Sequence, residues 1–177
     1  LPGLLSPDGK KIVMIKSLVA GSQASAEIFV ANADGSNLKQ LTRTKEEESS
    51  PCWSPDGRWI CFAAKIGGRR VLAKVSPGGG EVERISVAGV SNPSEPDWSP
   101  DGKWFLVSII DKDRWVDEVG IIDAQGKGPI QNVTQSGYSD NQPKWSKNGK
   151  LFIYSSDKSG FRSHGSWGAE SDVYGTF

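Results

Sequence analysis

The chain has 177 residues, with 21 Lys plus Arg against 21 Asp plus Glu and a formal net charge of zero at pH 7. That length is one ordinary domain, and the balanced charge argues against nucleic acid, whose phosphates are held by a basic patch or excess. No apolar run approaches the ~20 residues of a membrane-spanning helix, and one His with two Cys leaves few metal ligands or nucleophiles.

The chain repeats itself. Ser6-Pro7-Asp8-Gly9 recurs as Ser54-Pro55-Asp56-Gly57, as Ser99-Pro100-Asp101-Gly102 and, degraded, as Ser146-Lys147-Asn148-Gly149, at intervals of 48, 45 and 47 residues. Trp53, Trp98 and Trp145 precede three copies, and Leu5 takes that place in the first. Each copy leads into an apolar segment, Ile12–Ile15, Trp59–Phe62, Trp104–Val107 and Leu151–Tyr154. Such runs, bounded by Gly and Pro, predict strands. A further strand is predicted at Glu27–Val30, Arg70–Ala73, Glu118–Ile122 and Asp172–Tyr174. Three of these run into Gly-containing hairpin turns, and a short last strand then closes at Leu41-Thr42, Ile85-Ser86 and Val133-Thr134.

Four short antiparallel strands per unit of about 45 residues cannot bury both apolar faces alone. Stacking the sheets around an axis does, so the expected fold is an all-β propeller of four four-stranded blades, the last incomplete. The expected boundaries are 1–43, 44–87, 88–135 and 136–177. On this reading the chain is a fragment of a larger propeller, or half of a ring that a second copy closes; a closed four-bladed ring is the third arrangement.

The Trp-Ser-Pro-Asp-Gly turns, the Asn32-Ala33-Asp34-Gly35 hairpin and the closing Leu-Thr resemble the WD40-like repeats called PD40, seen in TolB and in the propeller of the tricorn protease. The resemblance covers essentially the whole chain, although Lys147 and Asn148 depart from it and 161–170 look inserted. It implies a propeller usually of six or seven blades. It further implies a non-catalytic, TolB-like scaffold for a protein or peptide partner, in a periplasmic or extracytoplasmic setting. The alternative is an accessory or gating propeller of a larger peptidase of the tricorn or prolyl-oligopeptidase kind, whose catalytic domain lies elsewhere. Some similar propellers are oligogalacturonate lyases with metal-binding His clusters, which a single His argues against.

Most chemical candidates read better as architecture. The recurring Asp8, Asp56 and Asp101 belong to β-turns. The three Trp residues are expected to pack between blades. Asn32–Asn37 lacks the acidic residue that a calcium loop needs at its twelfth place, where Arg43 stands. Asp111, Asp113, Asp117 and Glu118 are interleaved with Lys112 and Arg114, as in a solvated loop. His164-Gly165-Ser166-Trp167-Gly168 lacks the first Gly and the strand-to-helix context of a nucleophile elbow. Cys52 and Cys61 should face each other across a hairpin, as two buried thiols or as a disulfide. Asn132-Val133-Thr134 is a glycosylation sequon at a strand position. No catalytic residue, cofactor or metal is expected.

Strand alternation places the short A–B and C–D turns on one face and the long, varied B–C and D–A loops on the other. Function usually sits in varied loops on a rigid scaffold. The expected partner-binding residues are therefore Arg69, Arg70, Arg114, Trp115, Phe161, Arg162, His164 and Trp167, with Glu46, Glu47 and Glu48 nearby, because Trp and Arg dominate interface hot spots.

Overall fold

The computed structural model describes residues 3–20, 23–44, 47–85, 92–159 and 172–176. Among them are fifteen strands and no helix. The first sheet is formed by β1 (Leu4–Leu5), β2 (Lys11–Ala20), β3 (Gln23–Asn32) and β4 (Lys39–Gln40). The second holds β5 (Glu48–Trp53), β6 (Ile60–Ile66), β7 (Arg69–Val75) and β8 (Glu83–Ile85). The third holds β9 (Ser94–Trp98), β10 (Trp104–Ile110), β11 (Asp117–Asp123) and β12 (Gln131–Asn132). The fourth holds β13 (Asp140–Trp145), β14 (Phe152–Ser156) and β15 (Asp172–Thr176). Within each sheet the strands run in chain order and pair antiparallel. First strands of successive sheets neighbour one another, β1 with β5, β5 with β9 and β9 with β13. The sheets are thus blades of a propeller.

The repeated turn is one structure built four times. In each copy the Ser hydroxyl donates to the third residue's side chain, at 2.6 Å for Asp8, Asp56 and Asp101 and 2.7 Å for Asn148. The same Ser oxygen accepts the backbone N–H five residues on, which fixes the start of the second strand. The Gly that follows has φ between +68° and +74° in all four, a region closed to most side chains. Asn148 accepts the Lys150 N–H at 3.0 Å, as Asp8 and Asp101 accept theirs at 3.1 Å, so the degraded copy keeps the geometry. Where the residue is Asp, these donors hold its carboxyl below the usual range, for Asp56 at about 2.

A second repeated device is less visible in the sequence. Ser50, Glu95 and Gln142, each three residues before the Trp, sit at φ of 52°, 51° and 53°, and the pairing of the first two strands shifts register there. A Pro follows each, at 51, 96 and 143, and Pro cannot donate to the ladder. The result is a β-bulge in the first strand of three blades.

Cores lie between blades. Val13, Ile28, Val30 and Leu41 pack against Ile60, Phe62, Ala73 and Val75. Leu72, Ile85, Cys52 and Cys61 pack against Phe105, Val107, Ile109 and Ile122. Leu106 and Val119 pack with Phe152. Trp53, Trp98 and Trp145 are partly buried at these three junctions in turn. Trp59 is half-buried and Trp104 is 41% exposed. Cys52 and Cys61 are register partners, and both are buried free thiols; burial pushes the Cys61 thiol up, and Cys52 beside it adds to that.

Candidate interaction surface

Of the expected partner-binding residues, Arg69, Arg70, Arg114 and Trp115 lie among the described residues. Arg69 and Arg70 open β7 and are exposed. Arg70 and Lys65 line two clefts flanking the second blade, of about 240 and 370 Å³. The larger also takes in Asn92, Ile110 and Asp117 from the third blade. Arg114 and Trp115 lie in the β10–β11 turn, and Trp115 is 82% exposed at φ 56°. Asp111 builds that turn: its carboxylate accepts the N–H groups of Asp113 at 2.8 Å and Arg114 at 3.0 Å, and its backbone pairs with Val116 and Trp115. Trp115 is therefore an aromatic presented on a pinned turn, not on a slack loop. Phe161, Arg162, His164 and Trp167 lie outside the described residues, as does the His164–Gly168 motif.

Two acidic residues read as loop-face groups are instead interior. Glu48 is 2% exposed and Glu118 is fully buried. Glu118 accepts the Thr134 hydroxyl and the N–H groups of Ser136 at 3.1 Å and Gly137 at 2.9 Å. The expectation of a solvated acidic loop at 111–118 fails at Glu118 because these three donors draw its carboxylate inward. At the first junction, Glu27 accepts the Thr44 N–H at 3.0 Å, while Glu48 accepts the Ile28 N–H at 3.1 Å and the Thr42 hydroxyl. Burial pushes the Glu48 carboxyl up to about 7 against the lowering effect of Thr42, and the nearby Glu27 charge raises it further. Asp117 is raised as well, first by burial and then by Glu95.

The two networks share a plan, although the Thr42 hydroxyl donates to Glu48, the second acid, and the Thr134 hydroxyl to Glu118, the first. Thr42 and Thr134 each close a blade, each bonds the backbone N–H after the first carboxylate, and a second acid follows six residues later, Glu48 or Asp140. That spacing was legible in the sequence, but nothing local said that the carboxylates turn inward. The second blade lacks the device. By register, Val71 stands opposite Ala64 where Glu27 and Glu118 stand opposite Lys16 and Ile109. A buried Pro93 takes the place of Glu48 and Asp140, five residues before the Trp. Among the described residues no group of three or more His, Cys, Asp or Glu is placed to hold a metal.

Four stacked antiparallel blades, three of them with bulged first strands, define a β-propeller segment. The sequence model of the TolB beta propeller domain, PD40, matches residues 3–165, and the chain belongs to that family. It is 33% identical over 134 residues to the Tol-Pal system protein TolB of Bordetella pertussis, covering 76% of this chain and 30% of that protein. It is 43% identical over 70 residues to dipeptidyl-peptidase 5 of Porphyromonas gingivalis, covering 38% of this chain and 10% of that protein. Among solved structures, a TolB-like protein of Agrobacterium tumefaciens superposes with a TM-score of 0.72 at 21% identity, over 86% of this chain and 52% of that one. The chain thus spans only part of the length of these relatives.

Proposed function

We propose that this segment is a non-catalytic scaffold that binds a polypeptide partner outside the cytoplasm, and that it docks the partner on the loop face of the second and third blades. The observation that carries the reading is Trp115, 82% exposed on a turn pinned by Asp111 and on the same face as Arg69 and Arg70. An exposed Trp next in sequence to an Arg has the residue types of a binding hot spot. By sequence alone, Phe161, Arg162, His164 and Trp167 are counted with these as candidate partner-binding residues. The similarity to TolB, a Tol-Pal system protein, supports both the polypeptide partner and the extracytoplasmic setting. A photo-crosslinker at position 115 is expected to trap a partner in the cell envelope, while one at Lys103, on the opposite face, does not. Adducts at 103 alone would overturn the reading.

The match to a dipeptidyl-peptidase favours a second reading, in which this propeller serves a peptidase domain carried elsewhere in the protein. The two readings separate on the whole protein. Release of p-nitroaniline from a dipeptidyl p-nitroanilide supports the peptidase; no release with crosslinking retained supports the scaffold.

A further inference from the structure

A cleft of about 550 Å³ lies on the opposite face, between the repeated turns of the second and third blades. It exists because these two turns stand apart. At the first junction Pro7 comes within 3.8 Å of where a Gly57 Cβ would sit, and at the third Pro100 comes within 3.5 Å of that of Gly149. At the second, the only atom within 4.0 Å of a Gly102 Cβ is the indole nitrogen of Trp98, from its own blade. Trp53 and Trp98 show the same difference between the first and second junctions. Trp53 donates across the junction to the Leu4 carbonyl at 2.9 Å. Trp98 instead donates to Gly102 in its own turn at 3.0 Å, which leaves the second blade unbridged.

The walls of this cleft have a definite chemistry. Its charged side chains are already paired: Asp56 with Arg58 at 2.7 Å, Lys74 with Glu83 at 3.2 Å and Asp101 with Lys103 at 3.8 Å. No net charge is left for an ionic ligand to neutralise. The other lining groups are neutral: the Trp59 indole, over which the Lys74 ammonium lies 4.5 Å from the ring centroid, the edge of Trp98, whose ring packs on Phe105, and hydrogen-bonding groups. The Trp59 indole N–H has no partner among the described residues, and the exposed Gln125 amide at the other wall bonds through its backbone only. Both walls are rigid, since each is a Ser-Pro-Asp-Gly turn closed by its own hydrogen bonds.

We propose that this cleft is a binding site for a neutral saccharide. The Trp59 ring that lines the cleft matches the C–H face of a pyranose, and its indole N–H and the Gln125 amide match the sugar's hydroxyls. The volume lies within the range of ligand pockets. Neither the family match nor the loop-face reading assigns this site.

The test is a titration of the full chain with maltotetraose, cellotetraose and chitotetraose, followed by the indole N–H and side-chain amide signals in ¹H–¹⁵N spectra. At least one sugar is expected to shift the Trp59 and Gln125 signals with a Kd of about 1 mM or tighter. Trp59→Ala should weaken that binding at least about tenfold. Gln125→Ala, an exposed change that leaves folding intact, should weaken it about threefold. No shift at either residue at about 10 mM of every sugar would overturn the proposal. So would shifts confined to the loop face, tighter binding of tetragalacturonate than of the neutral sugars, or occupation of the cleft by an oligoproline peptide instead.

Discussion

Among the described residues, blades two and three meet through an apolar cluster of ten buried residues, whereas blades three and four meet through a cluster of three and a web of carboxylates. At the latter junction Asp97 accepts the Trp145 N–H at 2.8 Å and the Lys144 ammonium at 2.9 Å, and Glu95 accepts the Gln142 N–H at 2.9 Å. At the former, the Arg70 N–H to the Asn92 side chain at 3.4 Å is the cross-blade hydrogen bond among the described residues. Apolar contact is non-directional and tolerates a gap at its ends; hydrogen bonds fix distance and close it. The second junction accordingly carries clefts at both faces, about 550 Å³ among the turns and 370 Å³ among the loops. Both proposed binding sites fall there, on opposite faces.

The sharpest way to break this contrast is to remove the buried acid. Glu118→Ala orphans the Thr134 hydroxyl and two backbone N–H groups, and should cost about 3–4 kcal/mol by denaturant unfolding. Val71→Ala, at the equivalent place in the second blade, should cost only about 1 kcal/mol. Equal losses would mean that the carboxylates do not distinguish the junctions.

Trp98→Ala probes the apolar side. Its ring lies 4.3 Å from that of Phe105, centroid to centroid, and it seals one end of the cluster. The expected loss is about 3 kcal/mol by thermal or chemical denaturation. A loss below about 1 kcal/mol would place the ring outside the packing.

Glu48 gives the first junction a pH dependence. Its folded pKa of about 7 lies above the ordinary 4.5, so the folded state binds the extra proton between those values. The contribution is complete below pH 4.5 and is lost as pH rises to about 7. Glu48→Gln should remove that part of the slope, worth about 3 kcal/mol, when melting curves from pH 4.5 to 7.5 are compared with wild type.

The smallest expected effect is in the fourth turn. Asn148→Asp restores a charged acceptor for Ser146 and Lys150, since charge-assisted bonds are the stronger, and should raise the melting temperature by about 1–2 °C. A fall would show that the blade-four turn differs electrostatically from its three copies.

The sequence by itself determined the blades. Ser-Pro-Asp-Gly carries its own hydrogen bonds and its own positive φ, all within six residues, so four copies at near-constant spacing fix four hairpins and the direction of every strand. The cross-strand partnership of Cys52 and Cys61 followed from the same local counting. What the tertiary structure decided was how neighbouring blades meet. Glu48 and Glu118 look like loop acids until donors from a neighbouring strand or linker draw them inward, and Trp53 and Trp98 look alike until one bonds across the junction and the other back into its own turn. Those partners lie up to 49 residues away along the chain. Local sequence periodicity records which residues a turn needs; it does not record the gap left when two complete turns fail to touch.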